Sequence, residues 1–202
     1  MPTENKSSLA FSLDGVAFSY DSSTRAPVFD GVTISVRTGA RVVLVGANGA
    51  GKSTLLRLIG GKRRTTSGVA RVLGEDAFEH TPLSLRVNLV TADWEEKLTL
   101  PVRQLIATAI SSAGADRARI ARLLEVLGIV ELLHAELHAL SDGQRRRVQL
   151  FCKLLPPREV VLLDEATNSL DVMARASLLA FLREESDVRG ATVVFCTHIF
   201  DG

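Results

Sequence analysis

The sequence predicts an α/β fold in which a β-rich beginning leads into a parallel sheet interrupted by a helical region. Three observations predict it. Short alternating runs separated by Asp-Gly turns occupy residues 9–36, as in antiparallel strands. Largely apolar runs without alternation, at 41–46, 159–163 and 191–197, are typical of strands buried on both faces of a parallel sheet. Between them, residues 101–155 carry the apolar spacing of helices.

The elements follow in order along the chain. Two further runs, at 69–73 and 85–91, predict strands that join the parallel core. Pro101 suits a first helical position, and Ser141 can cap a helix that ends near Leu155, before two prolines. We expect a single domain over residues 1–202, and we expect the strand near its end to lie at an uncovered sheet edge. Its expected parts are a β subregion (about 9–38), a core (about 39–95 and 156–202) and a helical lobe (about 96–155).

Composition excludes several classes of protein. The chain has 202 residues, 46% of them hydrophobic and 23% charged, which is typical of a globular chain and not of a disordered or disulfide-stapled one. With 24 basic and 23 acidic residues the net charge is +1, so no overall basic field favours nucleic acid. Two cysteines without a CxxC, no secretory signal and no long apolar run predict a cytoplasmic protein, with the nucleus as a second location, that has no transmembrane segment.

The strongest motif is GANGAGKST at residues 46–54, directly after a buried strand and before a helical pattern. It matches GxxxxGK[ST], in which glycines let successive N–H groups point at phosphate oxygens and the helix N-terminus adds positive charge. Lys52 would reach the β and γ phosphates of a nucleotide, and Ser53 would ligate Mg²⁺. The alternative is an ordinary glycine-rich turn with an incidental lysine. The predicted nucleotide-binding residues are Gly46, Asn48, Gly49, Ala50, Gly51, Lys52, Ser53 and Thr54.

A second apolar strand ends in two carboxylates, VVLLDE at residues 160–165. In the P-loop architecture the first of them, Asp164, holds Mg²⁺ opposite Ser53. Glu165 would lie nearer the γ phosphate, where a carboxylate can take the proton of an attacking water. The alternative is a solvated strand end.

LSDGQ at residues 140–144 lies between these motifs, and SLD at 169–171 and a histidine, His198, follow them. This order and spacing resembles that of the ATP-binding-cassette (ABC) ATPases. The resemblance implies a P-loop nucleoside triphosphatase of ABC type that binds ATP and Mg²⁺. It implies a signature loop at Ser141, Asp142, Gly143 and Gln144 that contacts the γ phosphate of ATP held by another subunit. Asp142 stands where a glycine is commoner.

The same resemblance implies roles for three more residues. Asp171 matches the D-loop, and His198 matches the histidine that orients the γ phosphate and the attacking water. Tyr20 matches the aromatic residue that stacks on adenine; its alternative is a half-buried strand tyrosine on the same strand face as Phe18.

SDGQRRRVQL, LLDEATNSLDV and RGATVVFCTHIFDG resemble more narrowly the soluble ABC ATPases without membrane domains. That group comprises plant subfamily I proteins and a fungal relative associated with a deadenylase and transcription-regulating assembly. It carries an acid-Trp pair in place of the usual glutamine, here Asp93-Trp94. Asp93 is either a metal ligand or a simple loop acid.

We therefore expect ATP hydrolysis by an ATP-induced, head-to-tail homodimer that acts as a switch on a regulatory protein or ribonucleoprotein complex. One alternative is the ATP-binding subunit of a transporter with separate membrane subunits, and another is a nucleotide-dependent binding module that does not hydrolyse ATP. Arg145, Arg146 and Arg147 are expected to be solvated, since no aromatic residues interleave them to favour nucleic acid. His134 and His138 are expected on one exposed helix face, without a metal.

Overall fold

The computed structural model describes residues 9–20, 26–91 and 99–197. These residues form two compact units, one within Met1–Leu89, Arg158–Asp164 and Ser186–Gly202, the other within Val90–Pro157 and Glu165–Glu185. Short 3-10 helices cover Thr81–Leu85, Val130–Leu132 and Leu137–Ala139. The other elements are, in chain order, β1 (Leu9–Phe18), β2 (Phe29–Arg37), β3 (Arg41–Val45), α1 (Lys52–Ile59), β4 (Ser67–Val72), β5 (Glu75–Asp76), β6 (Val87–Val90), α2 (Val102–Ala113), α3 (Arg117–Val126), α4 (Asp142–Leu154), β7 (Val160–Asp164), α5 (Val172–Arg189) and β8 (Thr192–Thr197).

The first unit contains an antiparallel sheet with the strand order β2-β1-β4-β5. In its middle, Leu13 lies opposite Ile34 of β2 and Ala70 of β4. The prediction that residues 69–73 join the parallel core is wrong, because they belong to β4 of this sheet. Arg71 interrupts the apolar run and gives it the alternation of a strand with one buried face.

The parallel sheet of the same unit has the order β3-β8-β7-β6. β7 is buried along its whole length, as its continuous apolar sequence predicts. The expectation that the strand near residues 191–197 lies at an edge is wrong. β8 is paired on both sides, with Val194 opposite Val42 of β3 and opposite Leu162 of β7. Among the described strands, β3 and β6 are the edges of this sheet.

Apolar residues of both sheets and of α1 form the core of the first unit. An exposed ion pair lies just before β7: Arg86 Nε is 2.5 Å from Glu159 Oε1, and Arg86 Nη2 is 2.8 Å from Oε2. These hydrogen bonds lower the pKa of the Glu159 carboxyl below its ordinary value. The buried core residues are Ala10, Phe11, Leu13, Val16, Phe18, Leu55, Leu56, Leu58, Ile59, Ala70, Val72, Ala77, Leu83, Val160, Leu162, Val194 and Cys196.

The second unit is helical. α3 begins at Asp116, whose side chain accepts a hydrogen bond from the Arg119 N–H. The Arg119 side chain is buried with Glu185, 2.5 Å from it, and donates to the carbonyls of Leu154 and Leu155 at the end of α4. None of the helices in the described residues has both the length and the apolar character that crossing a membrane requires.

The expected single helix face at His134 and His138 is wrong. His134 lies in a turn, and His138 lies in the separate 3-10 helix Leu137–Ala139. The segment between α3 and α4 therefore contains short helical turns and a β-bridge at Glu136 in place of one continuous helix. Its apolar residues are nonetheless buried, among them Ile129, Leu132 and Leu137.

Candidate functional site

A glycine-rich loop joins β3 to α1. Gly51, the residue before α1, has a φ of +90°, and a Cβ there would lie only 2.9 Å from Phe29 Cζ and Val28 Cγ1. Only glycine fits at this position. The first hydrogen bond of the helix joins the Leu55 N–H to the Gly51 carbonyl at 2.9 Å. The N–H groups of the first turn therefore have no carbonyl within the helix and can bind an anion.

Lys52 is the first residue of α1 and is only 8% exposed. Its Nζ donates to the carbonyls of Gly46, at 2.8 Å, and Ala47, at 2.9 Å. The ammonium group is thereby held along the loop that precedes it. Two neutral carbonyls do not balance a buried positive charge, so the site favours a negatively charged ligand such as a phosphate.

Ser53 and Asp164 lie side by side, with Ser53 Oγ donating to Asp164 Oδ1 at 2.9 Å. Asp164 ends β7 and is 7% exposed. Neighbouring ligands of an octahedral Mg²⁺ with bonds of about 2.0–2.1 Å are separated by about 2.9 Å. The hydroxyl and the carboxylate therefore fit a magnesium ion in both chemistry and spacing.

Tyr20 lies just beyond the end of β1 and is 53% exposed. Its hydroxyl is 2.8 Å from Thr54 Oγ1 on α1. Its ring and the Phe18 ring are nearly perpendicular, with centroids 5.0 Å apart, and the Arg63 guanidinium lies 5.8 Å from the Tyr20 ring centroid. The ring is thus held beside the first turn of α1 while much of it is open to solvent.

The predicted signature loop forms the start of α4 in the second unit. Ser141 and Gln144 make a reciprocal capping box: the Gln144 N–H donates to Ser141 Oγ at 3.3 Å, and the Ser141 N–H donates to Gln144 Oε1 at 3.0 Å. Asp142 is exposed and lies 3.7 Å from Arg145. A Cβ on Gly143 would lie 2.8 Å from the Ser169 carbonyl oxygen, so a glycine is needed there.

Glu165 directly follows Asp164 and has a left-handed backbone with a φ of +49°. Its Oε2 accepts a hydrogen bond from Asn168 Nδ2 at 3.0 Å. Asp171 Oδ1 accepts from the Ala174 N–H at 2.8 Å at the start of α5. Asp93 and His198 lie outside the described residues.

The sequence reasoning missed Arg146. It was expected to be solvated together with Arg145 and Arg147, but it is only 6% exposed. Its Nε donates to the Ala166 carbonyl at 2.9 Å and its Nη1 to the Thr91 carbonyl at 2.6 Å. The signal was its position four residues before Leu150, on the buried face of α4.

A glycine-rich loop between a parallel strand and a helix, followed by a lysine and by a hydroxyl that meets the aspartate of a second strand, defines the class of P-loop nucleoside triphosphatases. The sequence prediction of that class, with an antiparallel sheet and a helical lobe, is confirmed by the fold.

Comparisons with known proteins identify the family. The model of the ABC transporter family matches residues 29–168. ABC transporter I family member 20 of Arabidopsis thaliana is 42% identical over 186 residues, which are 87% of this chain and 56% of that protein. CCR4-associated factor 16 of Saccharomyces cerevisiae is 37% identical over 214 residues, covering 97% of this chain and 72% of that protein. This chain belongs to the ABC transporter family, as an ABC ATPase domain, and its resemblance to the subfamily I group is confirmed.

A solved structure titled as the ATP-binding subunit of an ABC transporter superimposes with a TM-score of 0.78 and 25% sequence identity, covering 94% of this chain and 80% of that one. The chain spans little more than half of the Arabidopsis relative's length, 56%.

Proposed function

We propose that this chain binds ATP with Mg²⁺ on its P-loop and hydrolyses it to ADP and phosphate. The observation that supports this most is the 2.9 Å hydrogen bond from Ser53, which follows Lys52 in the first turn of α1, to Asp164. The family supports it too, because relatives of this chain include proteins named for ATP binding.

In the proposed reaction, the P-loop N–H groups and Lys52 bind the β and γ phosphates and stabilise the charge that develops on them. Ser53 and Asp164 would hold Mg²⁺, with Asp93 as a further candidate ligand, and a bound ion would supply positive charge against the phosphates. Glu165 takes a proton from water as its oxygen attacks the γ phosphorus in line, and His198 orients that water. The bond to the bridging oxygen breaks, ADP leaves, and the proton on Glu165 returns to solvent.

We further propose that residues 1–202 act as one ABC ATPase domain and that two copies complete each site. One chain carries one P-loop and one signature loop. Two copies arranged head to tail would place Ser141, Gly143 and Gln144 of one chain on the ATP of the other, with Asp171 in the D-loop between them. ATP would therefore hold the homodimer together.

For the process that hydrolysis drives, we propose a switch on a regulatory assembly. The support is the similarity over 97% of this chain to a yeast protein named as a factor associated with CCR4. A second candidate is a transporter subunit, because the spermidine/putrescine import ATP-binding protein of Pseudomonas fluorescens is 34% identical over 177 residues, 86% of this chain and 49% of that protein. Purification with ATP separates the two: copurifying membrane permease chains support the second, and copurifying soluble assemblies the first.

The first test removes the ammonium group of the P-loop. We expect Lys52→Ala to lower ATP affinity by roughly 10- to 100-fold, the worth of hydrogen bonds to a charged group, and to abolish phosphate release. Lys62→Ala, at an exposed lysine of the same unit, is the matched control and should change neither. Equilibrium ATP binding and steady-state phosphate release measure the two effects. Binding by the unmodified protein without release would instead indicate a non-hydrolysing binding module.

A further inference from the structure

We propose that Arg146 is a positioning residue for Glu165: it fixes the turn that carries the proposed general base to the signature helix α4 and to Thr91. This inference rests on the proposed function, since it concerns how Glu165 is held for the reaction. The side chain of Arg146 contacts backbone on two other segments of the second unit, at Thr91 and Ala166.

The first argument is the geometry of the guanidinium group. Its Nε donates to the Ala166 carbonyl at 2.9 Å, and its Nη1 donates both to the Thr91 carbonyl at 2.6 Å and to the side-chain oxygen of Gln149. A guanidinium is planar and rigid, so two carbonyls bound to it are fixed relative to each other. Thr91 follows β6 and Ala166 follows β7, and these two strands are neighbours in the parallel sheet.

The second argument is the strain in the turn that Arg146 binds. Glu165 has a left-handed φ of +49°, which a residue other than glycine adopts only when its surroundings hold it there. The Ala166 carbonyl belongs to the second peptide group after the Glu165 Cα, so the Arg146 bond fixes the chain immediately beyond the strained residue.

Hydrogen bonds within the turn act alongside Arg146. The Asn168 N–H donates to the Glu165 carbonyl at 3.4 Å, and the Leu170 N–H donates to the Thr167 carbonyl at 3.0 Å. Asn168 Nδ2 also holds the Glu165 carboxylate at 3.0 Å. These bonds lie within the turn itself, whereas Arg146 ties the turn to α4.

The third argument is the contrast with the neighbouring arginines. Arg145 donates to the Leu140 carbonyl at 3.2 Å and lies 3.7 Å from Asp142, both within or just before its own helix. Arg147 is half-buried. Arg146 alone of the three is buried and bonded to the segment after β7. An arginine that served only solubility would be exposed to solvent, whereas the Arg146 side chain is buried.

Kinetics test the proposal. Arg146→Gln should lower kcat by about 10- to 100-fold, as expected when a reacting group is misplaced by about an ångström, and leave KM and the Kd for ATP unchanged. Arg146→Lys keeps the charge but can hold fewer carbonyls, so it should restore part of kcat. Arg147→Gln is the matched control and should keep the kcat of the unmodified protein. If KM in Arg146→Gln rose by the same factor by which kcat fell, the positioning role would be overturned.

A double-mutant cycle separates this proposal from the proposed function. If Glu165 acts as the base and Arg146 acts through it, Arg146→Gln should cause no further loss of turnover in a Glu165→Gln background. Glu165→Gln with full turnover would refute the base assignment itself. Suppose instead that Glu165→Gln has low turnover and that adding Arg146→Gln lowers kcat further, by the same factor as in the unmodified protein. That result would refute the positioning role of Arg146 and would leave the assignment of Glu165 as the base unchanged.

A measurement without nucleotide tests the structural link directly. Hydrogen exchange in Arg146→Gln should be faster at the Asn168 and Leu170 amides than in the unmodified protein, because the turn loses its tie to α4. Arg147→Gln should leave both amides unchanged. If Arg146→Gln does not fold, the same comparison is made with Arg146→Lys. Unchanged exchange at residues 165–170 in the folded Arg146 variant would contradict the proposal.

Discussion

At the scale of single residues, the position of Tyr20 would let one side chain serve two parts of the proposed nucleotide site. Its hydroxyl lies 2.8 Å from Thr54 Oγ1 on α1, and the residue is 53% exposed. Because α1 also carries Lys52 and Ser53, the ring is held at a fixed place relative to the residues proposed to bind phosphate and metal. A base stacked on the ring would then be positioned by the same helix that binds its phosphates.

The prediction for Tyr20 separates its ring from its hydroxyl. Tyr20→Ala should weaken ATP binding by roughly 5- to 150-fold, the worth of about 1–3 kcal/mol for stacking one base on an aromatic ring. Tyr20→Phe keeps the ring and loses only the bond to Thr54, so its loss should be smaller. Titration calorimetry with ATP measures both. Tripolyphosphate, which has no base, is the control ligand, and an equal loss of its affinity in Tyr20→Ala would contradict the stacking role.

The residues of the proposed site differ in how far the sequence predicts them. Lys52 and Ser53 are found from a motif because their positions depend on the loop and helix that directly surround them. Ser141 is found because a helix cap is local. The spacing of Arg146 from Leu150 is a local signal of its burial, but its partners Thr91 and Ala166 are 55 and 20 residues away in the chain, so no local pattern predicts which groups it binds.

At the scale of elements, the antiparallel sheet depends on a close approach between β1 and β4. Gly68 has a φ of +74°, and a Cβ there would lie 2.3 Å from the Gly15 carbonyl oxygen. Gly15 itself has a φ of +56°, with open space where its Cβ would lie. A residue with a Cβ would be strained by the positive φ at either position. At Gly68 its Cβ would also clash with the Gly15 carbonyl oxygen.

This pair yields a stability prediction with its own control. Gly15→Ala should lower the free energy of unfolding by about 1–2 kcal/mol, the cost of a left-handed backbone in a residue with a Cβ. Gly68→Ala should lower it by about 1–3 kcal/mol more, because the backbone must also shift to relieve the clash. Urea unfolding followed by circular dichroism measures both. Equal destabilisation by the two changes would show that β1 and β4 do not approach closely at Gly68.

The sequence predicted strands and helices correctly where the residues of the element itself determine its structure. β7 and β8 are continuous apolar runs and were predicted as buried strands, and α4 was predicted from its cap to its terminal prolines. The place of a strand within a sheet was not predicted, since β4 pairs with β1 and β8 lies between β3 and β7. Strand order depends on contacts between distant segments, and a strand's own pattern shows only how much of it is buried.

At the scale of the whole molecule, the family follows from the joint order of several motifs. The P-loop, the signature loop and the acidic strand end are separate local signals, and their spacing predicted the ABC class that the family match over residues 29–168 confirms. The head-to-tail homodimer remains a proposal, because a single chain does not show how two copies associate. It requires that the signature loop of one copy act on the ATP of another.

The exposed start of α4 is compatible with that assembly. Ser141 and Asp142 are exposed, while Gly143 is packed closely on the Ser169 carbonyl next to the D-loop. The signature and the D-loop are therefore fixed to each other within one copy. In the proposed dimer they would meet the second copy together, and the closed state would be favoured in proportion to its greater affinity for ATP.

Size-exclusion chromatography of Glu165→Gln tests the central claim most directly. Removing the base without changing its shape should leave ATP bound while turnover falls by roughly 10²- to 10⁴-fold, the usual worth of a positioned base. Unhydrolysed ATP should then hold a dimer that ADP cannot support, and adding Lys52→Ala should abolish that dimer. A monomer in both nucleotides, or hydrolysis at the unmodified rate, would contradict the account of an ATPase whose sites are completed by two chains.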